Sequence, residues 1–402
     1  MDLSFYRGKR VFLTGHTGFK GSWMCRVLAL AGADVTGYSL PAPTDPNLFS
    51  LAGLEGHIHS VTGDVRDRDA LQKAFDEARP EVVLHLAAQP LVRMAYVCPA
   101  ETYETNVMGT VNLLECVRTA KSPVQSAVNV TTDKVYLNRE WCWGYREDDP
   151  LDGYDPYSNS KSCSDLVTHS YCSSFFAKEG LPVSTARAGN VIGGGDFARD
   201  RIIPDCVRAA VDKRPIVVRN PHSTRPYQHV LEPVIAYLLL AARQAQEPEL
   251  AGWYNVGPDD CDCVTTGELV NLFCSAWGEG LTWENHAEKN APHEANFLKL
   301  DCSKIKGTLG WSPRWHISDA IAKTVEWTKV WQSGGSVPAV MDKQIRSIWE
   351  DIEHEKSDCN GCKRLCGQRP CAGTSVPRRG GCRAGPRRLQ PESAGGRDVP
   401  AL

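Results

Sequence analysis

Arg10-Val-Phe-Leu-Thr14-Gly15-His16-Thr17-Gly18-Phe19-Lys20-Gly21 begins as an apolar run and ends as glycine punctuation. The run at 10–15 reads as a buried strand. The glycines follow at G-x-x-G-x-x-G spacing, and residues 21–32 continue as an apolar helix. Glycines at such a turn let the backbone bend tightly and approach a pyrophosphate, which then rests on the amides of the helix N-terminus. The strand, turn and helix stand in the order that this mechanism requires. Gly15, His16, Thr17, Gly18, Phe19 and Gly21 are therefore expected to line a dinucleotide site. The other reading of the same residues is a tight turn with no ligand.

The chain on either side of this stretch alternates in the same way. Strands are expected at 35–40, 58–65, 82–88, 126–132 and 182–191. Helices are expected at 67–78, 99–120 and 158–178. The run Val82-Val-Leu-His-Leu-Ala-Ala88 is continuously apolar, as a strand covered on both faces must be. The expected fold class is α/β: a Rossmann-type doubly wound parallel sheet over residues 1–191. After about residue 192 the pattern changes. A short strand at 216–219, helices at 229–244, 266–277 and 317–331, and a strand at 253–256 suggest a smaller α/β lobe over 192–350, interleaved with the first. Residues 351–402 are rich in Cys, Arg, Gly and Pro and poor in large apolar side chains. Such a tail has too little to bury to offset its ordering entropy, and no fixed structure is expected of it.

Bulk properties narrow the function. With 42% hydrophobic and 23% charged residues and a net charge of −3, nothing favours nucleic acid or an anionic membrane. No apolar run is long enough to span a bilayer, and the N-terminus has no secretory pattern, so a cytoplasmic protein is expected. Of 16 cysteines, those between Cys25 and Cys302 are irregularly spaced and read as reduced, mostly buried small hydrophobes. Cys359, Cys362, Cys366, Cys371 and Cys382 crowd the tail. Thiolates so closely spaced can hold zinc, but they lack paired knuckle spacing. They are read as part of a functionless extension, and no metal site is expected.

Two stretches carry chemistry: Thr132-Asp133-Lys134 and Tyr157-Ser-Asn-Ser-Lys161. The second puts a phenol and an amine one helical turn apart. A tyrosinate, favoured by a neighbouring ammonium and by the cationic ring of an oxidised nicotinamide, can take the proton of a sugar hydroxyl as hydride leaves the same carbon. Asp133 and Lys134 add an acid and an amine that simple alcohol oxidation does not need. Asp64 and Val65 end the third strand, where Asp64 can meet an adenine amine or cap the next helix. Leu86, Ala87 and Ala88 end the fourth, where small residues leave room for a nicotinamide ribose. The end of strand two, Gly37-Tyr38-Ser39-Leu40, has neither a carboxylate for a ribose diol nor an arginine for a 2′-phosphate. It leaves NAD versus NADP open.

GHTGFKGSW, AAQPLVR, TNVMGT, YDPYSNSK, RAGNVIGGGD and RNP-x-x-x-RP-x-QHV together resemble the nucleotide-sugar class of extended short-chain dehydrogenases/reductases, and within it the CDP-glucose 4,6-dehydratase subfamily. The resemblance runs from about residue 5 to 350. It implies NAD as cofactor, CDP-glucose as substrate and a 4-keto-6-deoxy sugar as product. By position, Tyr157 matches the base for the C4 hydroxyl, Thr132 its hydrogen-bond partner and Asp133 the acid at C6. Lys134 stands where the dTDP-sugar relatives carry a glutamate as the C5 base, and a lysine in that role must be neutral when it acts. Lys161 and Asn106 fall among cofactor contacts. Gln89, Asn190, Arg201, Arg219, Arg225 and His293 fall among substrate contacts, with Arg225 the best arginine for a diphosphate. The resemblance also implies a homodimer, joined through the helices at 99–120 and 158–178. Epimerases and decarboxylases on the same scaffold use the Tyr-Lys pair without the Asp-Lys pair, and a non-catalytic cofactor sensor needs neither.

Overall fold

In the computed structural model, residues 3–286 and 297–349 are described. Six strands in chain order, β1 (Arg10–Thr14), β2 (Asp34–Ser39), β3 (His59–Thr62), β4 (Val82–His85), β5 (Ser126–Thr132) and β6 (Val183–Ala188), are joined by an edge strand, Trp253–Val256. The order across the sheet is β3-β2-β1-β4-β5-β6 and then the edge strand, with every neighbouring pair parallel. The direction of winding reverses between β1 and β4. Ligands of open α/β sheets bind outside the carboxyl ends of strands at such a switch point. The segments that leave there are the glycine turn after β1 and residues 86–89 after β4, with Thr132 close by at the end of β5.

Both faces of the sheet are covered. On one face Leu13, Trp23, Val27, Val130 and Leu238 share a core with Met341 and Ile345 of a helix over 337–349. On the other, Phe12, Phe75, Leu113, Val117 and Phe176 form a second core beneath Arg68–Ala78 and Gly109–Arg118. The helix Leu231–Gln246 is buried almost all round, which accounts for the long apolar run within it. A separate core of Ile203, Cys206, Leu269, Phe273 and Ile321 gathers the helices Ile202–Val211, Thr266–Trp277 and Ile317–Gln332. Residues after 192 thus feed two cores, since Leu231–Gln246 and Trp253–Val256 return to the large sheet.

Several elements differ from the sequence expectation for local reasons. β4 stops at His85: the Leu86 amide still donates to the Thr14 carbonyl at 3.2 Å, but it and the Ala87 amide also lie 3.2 Å from the Thr14 hydroxyl, where the chain turns away. The helix expected at 99–120 is three pieces, Pro99–Tyr103, a π-turn Glu104–Met108, and Gly109–Arg118. Sequence periodicity does not register a one-residue widening of this kind. The strand expected at 182–191 ends at Ala188, and Val191–Ile192 pairs separately with Gln228–His229. Helices Val92–Val97, Ile202–Val211 and Ser303–Leu309 were not anticipated. The eleven described cysteines are all free, but only Cys25, Cys116, Cys206 and Cys302 are buried, so "mostly buried" does not hold for them. No helix of the described residues is long and apolar enough to cross a membrane. His293 and the tail cysteines lie outside the described residues.

Candidate active site

The glycine turn is built without room for side chains. Gly15 has φ +78°, and a Cβ there would stand 2.8 Å from the Ala87 nitrogen. A Cβ on Gly21 would stand 2.1 Å from the Gly15 carbonyl oxygen. Gly18 is the N-cap of the helix Phe19–Leu30 and offers no capping side chain, so the first amides of that helix keep their N–H groups for a ligand. Uncapped amides, a positive dipole end and a backbone open to close approach fit an anionic pyrophosphate. Phe19 and Thr17 flank this turn. The Thr17 hydroxyl bonds Ser39 Oγ at 2.6 Å and donates to the Leu40 carbonyl at 3.0 Å. His16 turns inward. It is fully buried over Gly37, with Nε2 2.7 Å from Ser60 Oγ, and burial lowers its pKa to about 4. The end of strand two is therefore shaped by a neutral imidazole.

Asp64 does not cap the next helix. Asp67 does, accepting from the Ala70 amide at 3.0 Å. Asp64 takes the Arg66 guanidinium at 2.6 and 2.8 Å, and this hydrogen bond holds its carboxyl below the ordinary range. The Val65 carbonyl accepts from Asn112 at 2.9 Å, which ties the segment after β3 to the helix Gly109–Arg118. Asn106 sits in the π-turn and clamps the loop after β4. Its amide nitrogen donates to Ser160 Oγ at 2.9 Å and to the Gln89 carbonyl at 3.1 Å, and its oxygen accepts the Gln89 amide at 2.8 Å. The Gln89 side chain, expected at a substrate, is occupied by Leu91 and Thr102. In this structure it staples the loop that carries Leu86, Ala87 and Ala88.

Tyr157 is positioned by a helix cap. Asp155 Oδ1 accepts the amides of Tyr157 at 2.9 Å and Ser158 at 3.0 Å, and Pro156 opens the helix Pro156–Tyr171. That helix lies on β5 through small and polar residues. Ser164 and Thr168 receive Asn129, and Asp165 receives Thr131. One turn along, the Lys161 amine donates to the Val130 carbonyl at 3.0 Å, and burial lowers its pKa to about 8 against the opposing charge of Asp165. This corrects one expectation. The phenol of Tyr157 is pushed up, to about 12, by burial. The groups that work against burial are a Thr132 hydrogen bond and the charge of Arg201, and Lys161 is not among them. Without ligands the phenol stays protonated.

Thr132 ends β5, and its backbone turns into the short helix Asp133–Val135. Its hydroxyl donates to Asp133 Oδ1 at 2.9 Å. Asp133 is wholly buried, and its Oδ2 has no hydrogen-bond partner among the described residues. Lys134 Nζ bridges Asp133 Oδ1 at 3.2 Å and Asn190 Oδ1 at 3.0 Å. Arg201 pairs with Asp196 at 3.0 Å and faces Tyr157 electrostatically. Thr132, Asp133, Lys134, Asn190, Tyr157 and Arg201 thus form one cluster. Arg219 is engaged with Asp200 at 3.2 Å, and Arg225 is buried on the strand Thr224–Pro226 with Nη1 donating to the Thr224 carbonyl at 3.0 Å. Two residues escaped the sequence reading, Lys20 and Tyr237. Lys20 was visible inside the glycine motif, but its side chain feels the charges of this cluster only through the fold.

The chain matches the family described as GDP-mannose 4,6 dehydratase over residues 12–324. The chain belongs to this GDP-mannose 4,6-dehydratase family. Among its curated relatives, a CDP-glucose 4,6-dehydratase of Salmonella typhimurium is 48% identical over 351 residues, covering 86% of this chain and 97% of the relative. A probable dTDP-glucose 4,6-dehydratase of Sinorhizobium fredii is 30% identical, covering 79% of this chain and 92% of its own. The solved dTDP-glucose 4,6-dehydratase DesIV of Streptomyces venezuelae, with NAD and TYD bound, superposes with a TM-score of 0.69 at 25% identity, covering 81% of this chain and 98% of that one. Members of this family share the Rossmann-type sheet described above. In this chain it brings the Thr-Asp-Lys and Tyr-Lys stretches to adjoining strand and helix ends.

Proposed function

We propose that this protein is a nucleotide-sugar 4,6-dehydratase that converts CDP-glucose to CDP-4-keto-6-deoxyglucose and water, with NAD held on the glycine turn. The observation that carries the reading is the buried Asp133, with one oxygen engaged by Thr132 and Lys134, the other without a hydrogen-bond partner among the described residues, and its charge felt by Tyr157. An enzyme that only oxidised an alcohol would have no use for such a carboxyl. The 48% identical CDP-glucose 4,6-dehydratase relative supports the choice of nucleotide.

The bound nicotinamide would accept hydride from the sugar C4 and later return it to C6. The chain's own residues handle the protons. Tyr157 takes the C4 hydroxyl proton, aided by the Thr132 hydrogen bond and the Arg201 charge, which work against the burial that holds the phenol protonated. Asp133, when protonated, gives its proton from Oδ2 to the departing C6 hydroxyl, so that water leaves rather than hydroxide. Lys134 ties Asp133 to Asn190 and fixes the carboxyl's direction. Asn106 holds the loop after β4 against Ser160, and so sets the spacing between the cofactor's wall and the helix that carries Tyr157. Arg225, Arg219 and His293 remain the proposed partners of the diphosphate and base, and a homodimer the proposed assembly.

Incubation of the purified chain with CDP-glucose and NAD tests the proposal. A product with the alkali-induced absorbance of a 4-keto sugar is expected. Its absence with CDP-glucose, while other nucleotide sugars are epimerised, would refute the reading. The variant Asp133→Asn with Lys134→Ala is expected to reduce the nicotinamide on binding sugar but to stop elimination, by about 10²–10⁴-fold. Full turnover by that variant would remove both residues from their roles.

A further inference from the structure

Among the described residues, one group of side chains outside the reaction centre carries the chemistry of a metal site: Cys261, Asp262 and His316. One donor atom from each lies within 4.8 Å of the other two. Cys261 Sγ stands 3.6 Å from Asp262 Oδ2, and His316 Nδ1 stands 2.9 Å from the same oxygen. An ion of the zinc type holds nitrogen and oxygen at about 2.0–2.2 Å and sulfur at about 2.3 Å in a tetrahedron, which sets sulfur about 3.6 Å and nitrogen about 3.4 Å from a ligating oxygen. The sulfur–oxygen pair already has that separation. The nitrogen–oxygen pair must open by about 0.5 Å to reach it, a small swing for the exposed His316 ring.

The backbone around the group is firmly held. Asp262 is buried and closes the short turn Asp260–Asp262. Its Oδ1 accepts the Ile317 amide at 2.9 Å, where the helix Ile317–Gln332 begins. Glu232 Oε1, from the helix Leu231–Gln246, accepts the Arg314 and Trp315 amides at 2.9 and 2.8 Å, and Asp319 Oδ2 accepts the His316 amide at 3.1 Å. Four consecutive amides, 314 to 317, each rest on a carboxylate oxygen, so the His316 ring swings from a fixed point. The anchoring uses Oδ1 of Asp262 and leaves Oδ2 to the thiol and the imidazole. The neighbouring acids are engaged elsewhere, Asp259 with Lys306 and Asp260 with Lys299 at 2.8 Å. A thiolate, a carboxylate and a neutral imidazole carry two negative charges, which a divalent ion balances. Sulfur beside nitrogen selects zinc-type ions over magnesium or calcium. Sequence spacing does not show the group, because His316 stands 54 residues beyond Asp262.

We propose that Cys261 Sγ, Asp262 Oδ2 and His316 Nδ1 form a binding site for a divalent ion of the zinc type, which braces the turn Asp260–Asp262 against the helix Ile317–Gln332. On binding, the thiol proton and the proton shared by Nδ1 and Oδ2 pass to water, and each of the three atoms gives a lone pair to the ion. Nothing is oxidised or reduced. The exposed thiol and imidazole leave a fourth position to water. The brace bears on the strand that follows the turn. Cys263–Thr265 pairs antiparallel with Thr224–Pro226, and Val264 lies opposite Arg225. The ion would thus stiffen the element beside the arginine proposed for the diphosphate. The site itself does not depend on the dehydratase reading.

The tail thiols could bind the same metals, so the test uses the full chain carrying Cys359→Ser, Cys362→Ser, Cys366→Ser, Cys371→Ser and Cys382→Ser. After treatment with a chelator, this parent is titrated with cobalt(II). One ion per chain is expected, with the ligand-field bands of a tetrahedral ion and a thiolate-to-cobalt charge-transfer band, all removed by zinc(II). Cys261→Ser, at an exposed position, should abolish the charge-transfer band. His316→Asn keeps a good N-cap residue and should weaken binding by at least about 10–100-fold. Cys263→Ser should leave the band intact. Zinc(II) should raise the thermal unfolding midpoint of the parent but not that of the variant with both Cys261→Ser and His316→Asn. Absence of the charge-transfer band from the parent would overturn the proposal, as would its survival in Cys261→Ser or its loss in Cys263→Ser. An equal rise in midpoint with and without the two ligands would also overturn it.

Discussion

Arg187→Met probes the support beneath the site. Arg187 and Asp165 are both fully buried. Two guanidinium nitrogens, Nε and Nη2, each meet a different Asp165 oxygen at 2.9 Å. Asp165 also accepts from Thr131 at 2.9 Å and Thr185 at 3.1 Å, while Arg187 Nη1 donates to the Glu147 carbonyl at 2.7 Å and the Tyr136 hydroxyl at 2.9 Å. This network joins β5, β6 and the helix that carries Tyr157 and Lys161. Methionine preserves the packing of the stem but leaves a buried carboxylate with only hydroxyls and a histidine at its side. Removal of one partner of a buried ion pair costs about 3–5 kcal/mol. That is a large part of the about 5–15 kcal/mol by which a native protein is stable.

The pH dependence separates this mechanism from a simple packing loss. In the wild type, burial works to raise the Asp165 carboxyl, but the hydrogen bonds and charges of His169 and Arg187 hold it well below the ordinary range. A depressed carboxyl contributes stability that is present above its unfolded pKa of about 3.9 and is lost as pH falls through the lower folded value. In Arg187→Met, burial wins and the folded pKa rises. The variant's penalty is therefore full near neutrality and shrinks as the carboxyl takes up a proton on acidification toward its unfolded value. Urea denaturation at pH 7 and at mildly acid pH measures both points. The double variant Asp165→Leu with Arg187→Met should recover most of the loss, because no unpaired charge is left buried. A penalty below about 1 kcal/mol at pH 7 would refute the reasoning, as would a penalty that did not change with pH.

Two further substitutions test local geometry. Gly21→Ala places a Cβ at 2.1 Å from the Gly15 carbonyl oxygen, so the turn must open. Nucleotide binding measured by fluorescence titration should fall at least tenfold, and unchanged affinity would remove the turn from the site. Asp155→Ala deletes the cap that receives the Tyr157 and Ser158 amides and should cost about 1 kcal/mol in thermal unfolding. It should lower C4 oxidation more than its small effect on stability alone would, because Tyr157 lies in the uncapped turn, and a C4 oxidation rate equal to wild type would refute that placement.

Much of the fold was legible because its signals are local. Strand and helix periodicity, the glycine turn and the cap-and-proline start of the Tyr157 helix each depend on residues close in the chain. The covered faces of β4 showed as a continuous apolar run from Val82. The site was legible only where its residues cluster in sequence: Thr132 to Lys134, and Tyr157 with Lys161. What the sequence did not show is the protein partners of Gln89 and Asp64, Leu91 and Thr102 for the one and Arg66 for the other.

By itself the sequence determined the candidate functional groups and the parallel sheet that carries them, because residue type and short spacing suffice for both. Tertiary structure alone decided the environment of each group, since burial and distant charges set it. It placed Lys161 against the Val130 carbonyl and let the Arg201 charge act on Tyr157. It left one oxygen of Asp133 without a hydrogen-bond partner among the described residues, and it brought Lys20, from the first turn of the chain's first long helix, onto a tyrosine more than two hundred residues away. Charge and desolvation act through space, and only the packed sheet and its helices set those distances.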